Sequence, residues 1–294
     1  MDWRRTVNDV LARSTGYELR RTPPRAAATA ARRRRVGKLR VGDRLVEAPV
    51  FILCTLRSGS TLLRVLLDSH SEIHAPHELH LRYISVSLDR KWSERSMREM
   101  DLDQGGLEYL LWDRLLHREL ASSGKRIIVD KTPNNVFIAG RLKECWPDAR
   151  FVFLLRHPAA IARSRRAILP HDVDDGQNVD LIRRYCLALE GARRTYEGLT
   201  VRYEDVTADP AREAGRLCDF LGVRYEPEMV DYGRFDHGRY HAGLGDYADK
   251  IKTGQVQPAD PPPEQIPEPL RAACAAWGYV DAAPAAATRD FAPS

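Results

Sequence analysis

The sequence lacks long apolar runs and any dense pattern of cysteines. No stretch approaches the roughly 20 apolar residues that a membrane-spanning helix needs, and the first residues show no apolar core followed by a small-residue cleavage site. The five cysteines are odd in number, widely spaced and free of Cys-x-x-Cys pairs. We therefore expect reduced thiols in a cytoplasmic protein, and neither a disulfide framework nor a zinc site.

Positive charge is concentrated at one end of the chain. The 294 residues carry a net charge of +5, but residues 1–45 alone hold thirteen Lys or Arg and four Asp or Glu. The excess basic charge therefore belongs to a tail. We predict a basic N-terminal helix and linker over residues 1–38 and one folded domain over residues 39–294.

The tail contains Arg32–Arg35, which leaves open a peripheral membrane contact through residues 1–35, at the inner face of the membrane. No interleaved aromatic residues or known reading motif accompany these arginines. Nucleic-acid binding is therefore not expected.

Short apolar runs alternate with helical patterns through the body of the chain. This alternation predicts an α/β, P-loop-like three-layer fold, with a central, mostly parallel β-sheet flanked by helices. A hairpin-like entry is expected over Lys38–Val46, with Gly42-Asp43 as its turn. The predicted strands are Val50–Cys54, Arg126–Val129, Phe151–Leu155 and Leu199–Tyr203, and the predicted helices lie around 105–122, 136–146, 158–168, 177–197, 209–221 and 268–277.

The first predicted strand runs into a turn that suits a phosphate group. The turn reads Arg57-Ser58-Gly59-Ser60-Thr61 and precedes a leucine-rich helical stretch. Helix N-termini attract anions through free N–H groups and the helix dipole, and Gly59 permits close backbone approach. A Walker-type loop would carry a lysine before its final hydroxyl. This turn has none, and no other strand ends in a clear magnesium-binding aspartate, so a triphosphate enzyme is disfavoured.

The turn resembles the 5′-phosphosulfate loop, [KR]SG[ST]T, of sulfotransferases that use 3′-phosphoadenosine 5′-phosphosulfate (PAPS). That family binds the 3′-phosphate with a strand-end arginine and a serine eight residues later, here Arg156 and Ser164. A third stretch, Val201–Asp205 followed by Phe220-Leu221-Gly222, is similar to the family's [RK]YED and FLG segments and puts Tyr203 near the adenine. The resemblance covers about residues 49–231 and is closest to the bacterial, tyrosylprotein-like branch.

The resemblance also implies the catalytic residues. Glu78 matches the branch's general base, with His77 and His80 as rivals because histidine has the better-matched free pKa. Lys131 and Arg57 would neutralise charge on the bridging oxygen. The implied nucleotide contacts are Arg57, Ser58, Gly59, Ser60, Thr61, Leu62, Arg156, Ser164, Tyr203, Lys250 and Lys252.

The predicted function is therefore sulfuryl transfer from PAPS to an acceptor hydroxyl, without a metal. The resemblance and an Arg- and Ala-rich, high-GC type of composition favour a natural-product, lipid or carbohydrate acceptor in a bacterium. A peptide tyrosine stays open as the acceptor. Two other functions also stay open: a P-loop kinase-like phosphotransferase, and a non-catalytic, membrane-associated domain of the same fold.

Overall fold

Five parallel strands form an open sheet in the residues that the computed structural model describes, which are 43–170, 172–238 and 249–280. Their order across the sheet is β2-β3-β1-β4-β5, and every neighbouring pair runs parallel. The predicted α/β class is therefore confirmed. The strands are β1 Val50–Cys54, β2 Ile73–His74, β3 Ile127–Asp130, β4 Arg150–Leu155 and β5 Gly198–Arg202.

Helices connect the strands and cover the sheet. Within the described ranges, no helix is both long enough and apolar enough to cross a membrane. The α-helices are α1 Ser60–Asp68, α2 Lys91–Glu99, α3 Gln104–Ser123, α4 Ala139–Cys145, α5 Pro158–Arg166, α6 Asp175–Thr195, α7 Tyr203–Ala208, α8 Pro210–Leu221 and α9 Glu268–Ala276. Short 3-10 helices cover Leu81–Tyr83, Pro133–Ile138, Pro227–Val230, Tyr232–Arg234 and Asp249–Thr253.

Strand β1 lies at the centre of three layers. All five of its residues are fully buried, and successive side chains point to opposite faces of the sheet. Phe51 and Leu53 join an apolar cluster with Trp112 and Trp146 on one face. The alternate side chains of β1 join a second cluster with α1 and α8 on the other face. Because both faces are covered, the strand is apolar throughout, as parallel sheets require.

The expected hairpin-like entry is not found in the part of it that the structure describes. Residues 43–46 form no strand, and residues 38–42 lie outside the described residues. Instead, the N–H groups of Leu45 and Val46 donate to the buried carboxylate of Asp113 at 2.7 and 3.2 Å. The [RK]YED-like segment after β5 begins the short helix α7, which starts at Tyr203.

Two elements had no expectation at all. Strand β2 has only two residues, and helix α2 has no buried residue, so neither produces an apolar pattern. The predicted N-terminal helix and linker, the boundary at residues 38 and 39, and the membrane contact lie outside the described residues and stay predictions.

Candidate active site

A cavity of about 370 Å³ opens at the carboxyl edge of the sheet. Open parallel α/β sheets bind ligands at this edge because the loops after the strands converge there. The wall comes from the segments that follow all five strands, together with Tyr232 and the chain around residues 250–260. It is lined by Leu56, Arg57, Gly59, Ser60, Thr61, Leu62, Glu78, His80, Pro133, Asn134, Arg156, Ser164, Tyr203, Tyr232, Lys250, Ile251, Gln255, Gln257 and Asp260.

The turn after β1 has an unusual backbone conformation at the start of a helix. Arg57 and Gly59 both have positive φ angles, of 60° and 84°. The Ser58 hydroxyl donates to the carbonyl of Thr55 at 2.9 Å, which ties the turn to the strand end. Helix α1 starts at Ser60, and its N-cap residue, Gly59, has a left-handed conformation. The N-terminal residues of this helix line the cavity, at the kind of position where first-turn N–H groups bind phosphate in other proteins.

The Tyr203 ring packs against the turn at Gly59. A Cβ atom added to Gly59 would lie only 2.1 Å from Tyr203 Cδ2, so only glycine fits under the ring. The guanidinium of Arg156 stacks 4.4 Å from the centre of the same ring and donates to the carbonyl of Arg57 at 2.8 Å. The ring therefore joins the segments after β1, β4 and β5 in one packed unit.

Arg57 and Ser164 bring the two arginine-containing motifs together. Arg57 Nε donates to Ser164 Oγ at 3.4 Å across 107 residues of sequence. Ser164 is in helix α5, which starts with Pro158 directly after β4. Proline suits a first helical turn because it needs no N–H partner there. This wall of the cavity therefore presents two arginines and a hydroxyl.

Glu78 also lines the cavity and pairs with a buried lysine. Lys131 Nζ donates to Glu78 Oε1 at 2.5 Å, and the two side chains are 1% and 7% exposed. The other carboxylate oxygen, Oε2, lies 3.4 Å from His80 Nε2. Lys131 lies beneath Glu78 and does not line the cavity. The carboxylate is therefore held by a buried cation on one oxygen and approached by an imidazole on the other.

Asp130 supports this wall from below. Strand β3 ends on this aspartate, although the sequence analysis found no strand-end aspartate of the magnesium-binding kind. Its carboxylate is fully buried and accepts hydrogen bonds from Thr132 Oγ1 at 2.8 Å and Asn135 Nδ2 at 2.7 Å. Burial raises the pKa of Asp130, and those hydrogen bonds oppose the rise. Asp130 does not line the cavity, so its role is structural.

An exposed ion pair forms another part of the cavity wall. Lys250 Nζ lies 2.9 and 3.1 Å from the two carboxylate oxygens of Asp260, with side chains 53% and 59% exposed. The hydrogen bond from Lys250 lowers the pKa of Asp260, and the charges of Arg156 and Arg163 add to this effect. Lys252 is exposed and is not part of the cavity wall.

Most predicted site residues share this cavity, whereas four of the named candidates do not line it. Ser58 and Lys131 are buried behind the wall, and Lys252 lies outside it. His77 is exposed and lines a separate pocket with Asp68 and His237. The roles of the predicted site residues stay predictions.

Sequence reasoning missed several residues of the wall, namely Asn134, Tyr232, Gln255, Gln257 and Asp260. Asn134 had a usable signal, because it follows β3 three residues after Lys131. The segment around Asp260 had none, since its prolines indicated only the end of regular structure.

The described residues give no support for a metal site or for Cys54 as a nucleophile. No group of three or more His, Cys, Asp or Glu side chains there is arranged to hold a metal ion. Cys54, at the end of β1, is fully buried, and desolvation raises the pKa of its thiol to about 11. Because the thiolate is the reactive form, Cys54 is a packing residue and not a nucleophile at neutral pH.

Comparison with known sequences gives a consistent family match. Residues 49–227 match the profile of the sulfotransferase family. The chain is 22% identical to protein-tyrosine sulfotransferase 2 of Gallus gallus, over 62% of this chain and 53% of that protein. It is 30% identical to the nodulation protein NoeE of Sinorhizobium fredii, over 41% of this chain and 32% of that protein. The matches thus span about half or less of these relatives.

Comparison with solved structures shows a shared fold. The sulfotransferase domain from the curacin biosynthetic pathway superimposes with a TM-score of 0.60 and 20% identity, over 81% of this chain and 99% of that one. The sulfotransferase domain from the Synechococcus PCC 7002 olefin synthase gives a TM-score of 0.56 and 20% identity, over 82% and 99% of the two chains. At these identities the likeness concerns the fold.

Proposed function

The chain belongs to the sulfotransferase family, and we propose that it moves a sulfuryl group from PAPS to an acceptor hydroxyl. Adenosine 3′,5′-bisphosphate would be the second product. The observation that carries the proposal is one cavity that joins the Arg57–Gly59 turn and the Arg156–Ser164 wall to the Glu78 carboxylate. A donor with two phosphate-bearing ends and an acceptor with an ionisable hydroxyl would use all three features.

The proposed nucleotide site has two groups of residues that suit anions, one for each charged group of PAPS. The first-turn N–H groups of α1 and the Arg57 guanidinium suit the 5′-phosphosulfate, whereas Arg156 and Ser164 suit the 3′-phosphate. Arginine is the appropriate residue at these positions because its planar fork binds phosphate oxygens in pairs. Positioned cations next to a developing charge contribute about 3–4 kcal/mol each to transition-state stabilisation. Fixed cations and backbone dipoles of this kind supply the charge stabilisation that the proposed transfer needs.

The chemical step requires a base on the acceptor side. Glu78 lines the cavity, and Lys131 is bound to its Oε1, so we assign the acceptor proton to Oε2. As the acceptor oxygen bonds to sulfur and the S–O bond to the nucleotide breaks, Glu78 would take the hydroxyl proton. Arg57 would hold the charge that develops on the leaving phosphate. The 2.5 Å contact with Lys131 keeps the carboxylate in place throughout the reaction. In this proposal, orientation and electrostatics therefore supply most of the rate acceleration.

The acceptor class is the less constrained part of the proposal. We favour a small-molecule, lipid or carbohydrate hydroxyl. The names of the relatives also include protein-tyrosine sulfotransferases, so a peptide tyrosine belongs in any acceptor panel.

Two measurements test the proposal. Isothermal titration should show metal-independent binding of adenosine 3′,5′-bisphosphate in preference to ATP with magnesium. The reverse preference would instead indicate a kinase-like phosphotransferase. Release of the bisphosphate from PAPS with an acceptor panel then separates an active enzyme from a non-catalytic domain.

The role of Glu78 is tested by Glu78→Gln. We expect transfer to fall at least 100-fold, the lower range for loss of a general base, while bisphosphate affinity stays near that of the wild type. Glu99→Gln, at the exposed end of α2, is the matched control and should change neither quantity. Loss of nucleotide binding together with activity would mean that Glu78 is structural.

A further inference from the structure

His80 has an unusual backbone conformation beside Glu78. Its φ angle is +53°, in the left-handed region that non-glycine residues rarely adopt. The conformation is held by a hydrogen bond from the His80 N–H to Thr132 Oγ1 at 3.3 Å. Thr132 in turn donates to the buried Asp130. Strained backbone that the surroundings maintain in this way is concentrated at functional sites, so the conformation raises the question of what the His80 side chain does.

The side chain of His80 approaches the carboxylate oxygen that Lys131 leaves available. His80 Nε2 lies 3.4 Å from Glu78 Oε2, while Lys131 Nζ is bound to Oε1. Both Glu78 and His80 line the cavity. The imidazole is therefore the polar group next to the oxygen on which an acceptor proton would arrive.

Exposure differs sharply between the two side chains. Glu78 is 7% exposed and His80 is 31% exposed. A proton on Glu78 Oε2 has poor direct access to solvent, and once protonated the carboxyl no longer serves as a base for the next turnover. His80 touches Glu78 and reaches water, so it offers the route by which the carboxylate is restored.

We propose that His80 is a positioning residue that orients Glu78 and then receives its proton, an inference that rests on the proposed sulfuryl transfer. In the first step, the acceptor O–H proton moves to Glu78 Oε2 as the acceptor oxygen bonds to sulfur. In the second, the Oε2–H bond breaks and an Nε2–H bond forms, giving carboxylate and imidazolium. The imidazolium releases the proton to solvent, and His80 returns to its starting form.

Several charged or titratable groups surround the imidazole and belong in any account of its pH dependence. Glu78 is the nearest, with Lys131 on the far side of that carboxylate. The Tyr83 ring lies 6.3 Å from the imidazole. Asp130 is connected through Thr132, and Arg57 lines the same cavity. The neighbouring 3-10 helix Pro133–Ile138 contributes no titratable side chain.

The experiment uses two substitutions that tolerate the left-handed backbone. Asparagine adopts this conformation more readily than most residues, and glycine adopts it without cost, so His80→Asn and His80→Gly remove the imidazole without adding strain. We expect both variants to lose about 10- to 100-fold in kcat, at the lower end for proton transfer. Bisphosphate affinity and thermal stability should stay close to the wild type or rise.

Two readouts distinguish proton transfer from packing. The kcat–pH profile of His80→Asn should lack one ionisation that the wild-type profile shows, and added imidazole should restore part of the rate of His80→Gly. His117→Asn, which changes a half-buried histidine of helix α3 outside the cavity wall, is the control and should match the wild type. A His80→Asn enzyme with the wild-type rate and pH profile overturns the inference, as do slow variants with an unchanged profile and no rescue.

Failure of the inference differs from failure of the proposed function. If wild-type protein neither binds adenosine 3′,5′-bisphosphate nor releases it from PAPS, sulfuryl transfer itself is wrong. If the wild type transfers and the His80 variants transfer equally well, only the role of His80 is wrong.

Discussion

Two lysine–carboxylate pairs lie at the candidate active-site cavity, one buried and one exposed. Lys131 and Glu78 are 1% and 7% exposed with a 2.5 Å contact, whereas Lys250 and Asp260 are 53% and 59% exposed with a 2.9 Å contact. The pairs are chemically alike, but a buried pair cannot exchange its partner for water without a large cost. An exposed pair exchanges readily and contributes little.

We call the buried Lys131–Glu78 pair the fixed end of the site and the exposed Lys250–Asp260 pair its exchangeable end. At the fixed end, Lys131 holds the Glu78 carboxylate in one place, which suits a base that must meet a reacting hydroxyl. At the exchangeable end, Lys250 can release Asp260 when another anion arrives, which suits a site where a phosphate enters and leaves. The same type of interaction thus serves two purposes according to its burial.

The largest effect that would test this contrast is expected for Lys131→Met. Removing the lysine leaves a buried carboxylate without its partner, which costs about 3–5 kcal/mol of unfolding free energy. Chemical denaturation should show this loss, together with a strong fall in transfer. Lys250→Met, the matched change at the exposed pair, should cost less than about 1 kcal/mol.

A double variant sharpens the test of the fixed end. Glu78→Gln combined with Lys131→Met removes both charges and should recover much of the stability that Lys131→Met alone loses. Equal stability of Lys131→Met and Lys250→Met would contradict the distinction between the two ends.

The next largest effect is expected for Gly59→Ala. This change tests whether the turn after β1, the proposed nucleotide turn, is held as rigidly as the Lys131–Glu78 pair. The added methyl group meets the Tyr203 ring at 2.1 Å and requires a φ angle of 84°. We expect a loss of about 2–3 kcal/mol in stability and weaker bisphosphate binding by calorimetry. Gly215→Ala, where nothing lies within 4 Å of the new atom, is the control. Unchanged nucleotide affinity in Gly59→Ala would show that the turn is not the binding element.

These residues also show what the sequence could predict about the fold and the site. Strands β1 and β4 are continuous apolar runs, and the turn and Arg156 directly follow them, so their convergence at one edge was foreseeable from a parallel sheet. The pairing of Lys131 with Glu78 was not, because sequence spacing does not fix whether a strand-end side chain turns toward solvent or toward a residue 53 positions earlier.

The exchangeable end was the least predictable part of the site. Asp260 lies in a proline-rich segment with no periodic apolar pattern. No local sequence pattern therefore predicted that Asp260 would line the cavity. Only the three-dimensional path of the chain brings it to Lys250.

The smallest effect is expected for Asp260→Asn at the exchangeable end. The carboxylate occupies Lys250 and adds negative charge near Arg156 and Arg163, so it competes with an incoming phosphate. Its removal should tighten bisphosphate binding a few-fold, in line with an exposed pair worth about 0–1 kcal/mol. Glu264→Gln, in the same segment but outside the cavity wall, should have no effect. Weaker binding by Asp260→Asn would mean that Asp260 positions Lys250 and does not compete.

The pH dependence of stability gives a second test of the Lys250–Asp260 pair. Folding lowers the pKa of Asp260, with the Lys250 hydrogen bond as the main cause. The stabilisation is therefore present at neutral pH and is lost as the pH falls through the lowered pKa. Because the pair is exposed, Asp260→Asn should flatten the acid side of the stability curve only slightly, as salt and solvent screen the interaction.

The register of β1 has a consequence for how the protein is made. Val50 pairs with Val129 on one side and Arg150 on the other, so the strand has no sheet neighbour until β3 has left the ribosome and keeps one open edge until β4 follows. Pairing across such sequence separations folds slowly, and an unpaired apolar strand invites association between nascent chains. Fragments that end before residue 127 would leave Val50–Cys54 with two open edges, and fragments that end between β3 and β4 would leave it with one. The turn after β1 should therefore be studied only in chains that carry both β3 and β4.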